Sequence, residues 1–257
     1  MKASERAPQA MAAQMLVAAA ISVPILLVTG LPAVGAWKWI AASTLINLLA
    51  VRALLRAYEL AGFGLVYPIG RAVSVLLVAP LSVWLAGERL GPALLGGIGL
   101  IVVSLGLVGM SARHDRNLQP RALAWTLASG VAIACYVLAD AQGVRQSGST
   151  LAYASAVSIG NALIVYLSQH RAIAPWRLVR EHWRVAVPCG LASSVSYFLI
   201  LWVWRQAPIA PASALRDTSA IFALLIAVLW MKESLGGWRL AALLIAAAAI
   251  PLLRLGA

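Results

Sequence analysis

Residues 70–91 read "GRAVSVLLVAPLSVWLAGERLG" and residues 215–236 read "LRDTSAIFALLIAVLWMKESLG"; the second matches the first without a gap at an offset of 145 residues. Arg71 pairs with Arg216, Ser74 with Ser219, Glu88 with Glu233, and the closing Leu-Gly with Leu-Gly, in a shared pattern R-x2-S-x13-E-x-L-G. Matches between leucine and valine carry little weight in apolar sequence. Rare charges that recur at one spacing carry more. Each copy is long enough to cross a hydrocarbon core of roughly 30 Å as a helix. Each also holds an arginine within its apolar run, where a charge needs a partner or a wet cavity.

The rest of the chain has the same character. Of its 257 residues 62% are hydrophobic and only 11% charged, against about 25% charged in soluble domains. A soluble protein could not cover that apolar surface, so the composition predicts an all-α, polytopic membrane protein. Apolar runs predict nine spans: Met11–Gly30, Trp37–Tyr58, Phe63–Ala86, Pro92–Ser111, Arg121–Ala141, Leu151–Ser168, Arg184–Arg205, Pro208–Met231 and Trp238–Leu253. The connections are short, and the longest polar ones are "SARHDRNLQP" and "SQHRAIAPWRLVREHWR". Pro175, Trp176 and Trp183 place the latter at the interface, where aromatic rings anchor. The span near Met1 has no small-residue cleavage site after it and reads as a retained helix.

The 145-residue offset extends beyond the quoted pair. Trp37–Tyr58 maps near Arg184–Arg205, and Met11–Gly30 maps roughly onto Leu151–Ser168. Arg121–Ala141 has no partner. The expected organisation is therefore a first repeat of four helices over residues 1–111 and a second of five over 121–257, the first repeat lacking its first helix. Five spans per repeat is odd, so successive repeats would enter the membrane in opposite directions. That is the inverted-repeat plan of many secondary transporters. With nine spans, twelve Lys and Arg fall on the side of the N-terminus and five on the other, which predicts a cytoplasmic N-terminus and an outside C-terminus.

The net charge of +12 would suggest nucleic acid in a soluble protein. Here the basic residues flank apolar spans, where they meet anionic lipid, so the expected partner is the bilayer and not a nucleic acid. Cys135 and Cys189 lie in apolar segments without CxxC or Cys/His spacing, so neither a disulfide nor a metal site is expected. Nucleophile-elbow, P-loop and zinc-protease motifs are absent; the expectation is no enzyme, no catalytic residue and no cofactor.

These features resemble the drug/metabolite transporter superfamily, specifically its EamA-type members. The resemblance rests on the doubled five-helix plan and on two helix endings, "LSVWLAGERLGPALLGGIGLIVVSLGLV" and "IAVLWMKESLGGWRLAALLIAAAAI". In each a Glu-x-Leu turn leads into a Gly- or Ala-rich helix. The approach "WVWRQAPIAPASALRDTSAIFALL" is similar to the family's third-to-fourth helix passage. The chain departs from the pattern in its helix count, ten being usual, and in the C-terminus that the charge count places outside. Pro80 also lacks a counterpart, since Leu225 stands there. The resemblance implies a secondary transporter of the bacterial inner (plasma) membrane, and it does not name a substrate.

Arg71 and Arg216 lie roughly 12 Å into their helices and are the candidate substrate-binding pair, two cations attracting an anionic or zwitterionic solute. The alternative is that each pairs with an acid or caps a broken backbone. Asp217 is the local counter-charge to Arg216, but adjacent helical positions point about 100° apart, so it could reach another helix. Asp140 has Tyr136 one turn before it and lies near the expected end of its span. It and Asp217 are the candidate ion-coupling groups, with a solvated helix end as the alternative for Asp140. Asn161 and Tyr197 are further candidates for substrate binding, against plain interhelical hydrogen bonding, which also accounts for Tyr153 and Ser158. Glu88 and Glu233 end their helices before a Leu-Gly turn and are candidates for gating, or for closing a loop onto free backbone amides. The small-residue faces "GGIGLIVVSLGLVG" and "AALLIAAAAI" suit close helix packing or a homodimer.

The expected function is secondary transport of a small metabolite or drug-like solute, an exporter working by alternating access. A lipid-linked sugar flippase is the alternative within the superfamily, and a non-transporting membrane scaffold or subunit the alternative outside it.

Overall fold

Prolines open three of the helices of this chain, and glycines follow the ends of two of the others. The computed structural model describes residues 2–61, 63–111, 119–169, 173–219 and 237–255. Among these, every regular element is helical. In chain order they are α1 (Lys2–Thr29), a 3-10 turn (Val34–Ala36), α2 (Trp37–Leu60), α3 (Phe63–Ala86), α4 (Pro92–Ser111), α5 (Pro120–Gln146), α6 (Thr150–Gln169), α7 (Pro175–Gln206), α8 (Ile209–Asp217) and α9 (Gly237–Leu255). The helices α4, α5 and α7 each begin on a proline. There its fixed φ suits the helix and its missing N–H is one that would go unpaired anyway. Gly30 and Gly87 follow α1 and α3 at φ +77° and +65°, left-handed values that a glycine adopts without penalty. Their N–H groups bond back to the carbonyls of Leu26 and Val83, satisfying acceptors at the helix end.

Among the described residues six helices are long and apolar enough to cross a membrane: Pro8–Thr29, Val34–Leu60, Val66–Ala86, Pro120–Gln146, Thr150–Ser168 and Pro175–Gln206. Two more apolar segments, Pro92–Leu107 and Leu240–Leu252, are shorter. The surface fits lipid. Leu27 is 80% exposed, Val28 87% and Trp84 79%, and α7 presents Val185, Leu191, Val195, Leu199 and Trp202 outward along its length. This is a multi-pass helical membrane protein.

Two expected boundaries move. The polar stretch around Pro175–Trp183, expected as an interfacial connection, is the start of α7. Its arginines and His182 are compatible with a helix and only end the part that can face lipid, so hydropathy misplaced the helix start. The helix α5, expected to stop near Ala141, continues to Gln146, because no breaker precedes Ser147-Gly148. Of the expected span Pro208–Met231, residues 220–231 lie outside the described residues.

The chain divides into two compact units, Met1–Leu48 with Ala139–Ala207, and Leu49–Leu138 with Pro208–Ala257. In the first, α1, α6 and α7 pack on one another around Ala12, Ala13, Val165, Leu178 and Ala186. Small residues set the approach. A Cβ at Gly190 of α7 would come 2.8 Å from Val17 and 3.1 Å from the Gln14 carbonyl, so only glycine lets the two backbones meet. In the second unit α4 lies along α9, and α3 packs on α4 and α8. Ser104 of α4 donates its hydroxyl to the Ala242 carbonyl at 2.7 Å, and Ala57, Ala61, Val66 and Ala122 form a small apolar cluster.

Candidate functional site

The second unit holds an ion pair within its helices. A guanidinium nitrogen of Arg71, on α3, lies 3.0 Å from a carboxylate oxygen of Asp217, with the two side chains 18% and 6% exposed. Asp217 is the last residue of α8, where the helix carbonyls already carry partial negative charge and disfavour an anion. Arg71 supplies the compensation. The guanidinium also sits 5.6 Å from the ring centre of Tyr67, one turn earlier on α3, a position suited to a cation–π contact. Tyr58 and Tyr136 are near enough to interact electrostatically with it. The result is an ion pair whose cation lies over the Tyr67 ring.

For Arg71 the structure shows the pairing with an acid that the sequence left open as an alternative: its charge is met by Asp217, which reaches across to α3. Adjacent residues on a helix diverge by about 100°, and this divergence frees Asp217 for Arg71. Arg216 is half-buried in the last turn of α8, where a cation is favoured. Tyr136, one turn before Asp140 in sequence, is also near enough to interact electrostatically with Arg71.

Glu88 lies just past the end of α3. Its carboxylate accepts the N–H of Ile209 at 2.5 Å and of Ala210 at 3.2 Å, the first two amides of α8. The residue before them is Pro208, which makes no side-chain cap. Glu88 thus caps a helix more than a hundred residues away, and its charge also suits the positive end of that helix. Glu233 lies outside the described residues.

The first unit holds a second buried carboxylate. Asp140 on α5 is 1% exposed, which corrects the expectation of a solvated helix end; the extra turn and a half of α5 beyond it is the reason. The hydroxyl of Tyr153 on α6 donates to one carboxylate oxygen at 3.1 Å, and that of Tyr197 on α7 donates to the other at 2.8 Å. Gly143, one turn on from Asp140, makes room: a Cβ there would run into the Tyr153 ring. From sequence Tyr153 is expected only as an interhelical hydrogen bond; the signal for its role is a glycine three residues after an acid inside an apolar run.

Asn161 is half-buried on α6, and its side-chain oxygen has no hydrogen-bond partner among the described residues. The four residues expected to bind substrate therefore fall into separate units, Arg71 and Arg216 in the second, Asn161 and Tyr197 in the first. Among the described residues no group of three or more His, Cys, Asp or Glu could hold a metal ion. Cys135 and Cys189 are free thiols.

No family model matches the chain, and no curated protein does. Among the solved structures that match, one crystal structure superposes with a TM-score of 0.73 at 17% sequence identity, over 96% of this chain and 87% of the other. At that identity the likeness carries the fold alone.

Proposed function

We propose that this chain is a secondary transporter of the bacterial inner membrane, an exporter that moves a small metabolite or drug-like solute by alternating access. The observation that carries the reading is the Arg71–Asp217 pair, held inside apolar helices at 3.0 Å. Ionisable residues at membrane depth are expensive and mark substrate or ion pathways by default. A guanidinium and a carboxylate together, with Tyr58, Tyr67 and Tyr136 around them, suit a polar solute carrying opposite charges, whose own groups exchange for the pair. Arg216 adds a second cation one residue from Asp217.

The repeat supports the same reading. The starts of α3 and α8, at Phe63 and Ile209, keep the 145-residue spacing found in sequence to within one residue. Nine spans in two inverted repeats, of residues 1–111 and 121–257, and membership of the EamA-type transporters belong to this proposal.

Counterflow in proteoliposomes tests it, using a panel of labelled zwitterionic and anionic metabolites. The expected result is exchange of at least one solute, abolished in Arg71→Ala and in Asp217→Asn and partly restored by the charge exchange Arg71→Asp with Asp217→Arg. Exchange that persists undiminished in both single variants would refute the role of the pair. No exchange of any solute by the unmodified chain favours the scaffold reading, and scrambling of a lipid-linked sugar favours the flippase.

A further inference from the structure

The helix α7 is longer than the hydrocarbon it crosses. Its 32 residues make a rod of about 48 Å, against roughly 30 Å of apolar membrane. The uncharged run 185–204, bounded by Arg184 and Arg205, fills that thickness at about 1.5 Å per residue. Residues 175–184 therefore stand in the headgroup layer and at its outer edge.

That stretch has two faces. Leu178 is buried with Ala186 against Ala12 and Ala13 of α1 and Val165 of α6. Arg177, Arg180 and Arg184 are all exposed. At about 100° per residue they fall within an arc of about 60°, and Arg184 lies about 160° from Ala186. Trp176 and Trp183, 71% and 55% exposed, border this arc on one side, two turns apart. The Arg184 guanidinium lies 5.8 Å from the Trp183 ring centre. Glu181, also exposed, borders the arc on the other side, so the face keeps an excess of positive charge. No other described helix brings three exposed arginines to one face. Arg56 of α2 pairs with Glu59, and Arg145 and Arg205 donate to carbonyls at the other end of α7 and at Gly148.

We propose that this face of α7 binds an anionic phospholipid, with the headgroup phosphate among Arg177, Arg180 and Arg184 and the top of an acyl chain along Trp183. Basic residues at span ends meet anionic lipid as a general rule; here one helix gathers them into a site. Guanidinium groups offer forked donors that match phosphate oxygens, and their long stems reach along the helix to the phosphate level. Indole rings settle at this depth, with an apolar body and a polar N–H. A soluble acidic partner would use the arginines but gain nothing from an indole at the edge of the hydrocarbon, so the occupant is the lipid. The site shares no residue with the Arg71–Asp217 pair. It goes beyond the transport reading and does not rest on it.

Titration of the purified full chain in neutral micelles with phosphatidylglycerol tests it. The signal is quenching of tryptophan fluorescence by bromine near the top of the acyl chains, with brominated phosphatidylcholine as control. Phosphatidylglycerol should saturate the quenching at the lower mole fraction, and Trp183→Phe should remove most of the saturable part. Arg180→Gln should raise the half-saturating mole fraction about fivefold, and Arg180→Gln with Arg184→Gln about thirtyfold, with phosphatidylcholine unaffected. Arg52→Gln with Arg89→Gln removes the same charge from exposed positions elsewhere and should change it by less than about twofold. A preference for phosphatidylglycerol that survives the double α7 variant, or that falls equally in the Arg52 and Arg89 variant, overturns the proposal. Displacement of the lipid by soluble glycerol phosphate or polyglutamate means a soluble anion or an acidic protein as occupant, and overturns it too. If the α7 variants do not fold, the unmodified chain still decides. Equal affinity for the two lipids, or a preference that added salt does not weaken, sinks the site.

Discussion

Asp217 in the second unit and Asp140 in the first are both buried acids on apolar helices, and they are held by different kinds of donor. Asp217 meets a guanidinium at 3.0 Å, while Asp140 accepts from two neutral phenols at 3.1 and 2.8 Å. The difference matters because deleting a charged partner strands a buried charge, whereas deleting a phenol removes only a neutral donor. The ion pair is thus expected to be all-or-none and the phenol site graded. A graded site suits a group that binds and releases a small ion. An all-or-none pair suits one that opens only when a solute supplies replacement charges.

Breaking the pair is the strongest test of this contrast. Arg71→Ala should lower stability in detergent by about 3–5 kcal/mol, read from thermal unfolding, because Asp217 would then sit unpaired at the end of α8. Adding Asp217→Asn should recover much of that loss, and a double variant no more stable than Arg71→Ala would show that the cost lies elsewhere. Next comes Gly143→Ala, whose Cβ occupies the place of the Tyr153 ring. Overpacking of this kind costs about 1–3 kcal/mol, and it should remove the Tyr153 bond to Asp140 while leaving counterflow losses smaller than those of Arg71→Ala.

The end of α8 that faces Glu88 sharpens the comparison from outside both acids. Glu88→Ala removes the cap on Ile209 and Ala210 and should cost about 1 kcal/mol; Glu88→Gln keeps an acceptor oxygen and should cost less. The smallest effect is expected for Tyr197→Phe, at about 1 kcal/mol for one lost hydrogen bond with the ring still packed. A Tyr197→Phe loss as large as that of Arg71→Ala would erase the distinction between graded and all-or-none.

Some of this site was legible in advance. Arg71, Asp217 and Asp140 stand out because charges are rare in apolar runs, and Glu88 stands out at a helix end before Leu-Gly. Their partners were not legible. Tyr136 is one turn from Asp140 in sequence but interacts with Arg71, and Asp217 adjoins Arg216 but pairs with Arg71. Sequence distance misleads here because a helix turns neighbouring side chains apart, and the nearest opposite charge lies on another helix.

The sequence by itself determined that the chain is helical and membrane-spanning, because composition and the length of apolar runs are set by the thickness and dryness of the bilayer. It also determined where helices start and stop at Pro92, Pro120, Gly30 and Gly87, since those residues restrict or free the local backbone. Only the tertiary structure decided that α5 and α7 outlast their apolar parts. It alone decided that Glu88 caps α8, that Arg71 is neutralised, and that Tyr153 and Tyr197 close on Asp140. The physical reason is common to all of these: a buried polar group takes whichever partner the packing brings within hydrogen-bonding reach, and packing is a property of helices in contact, not of residues in order.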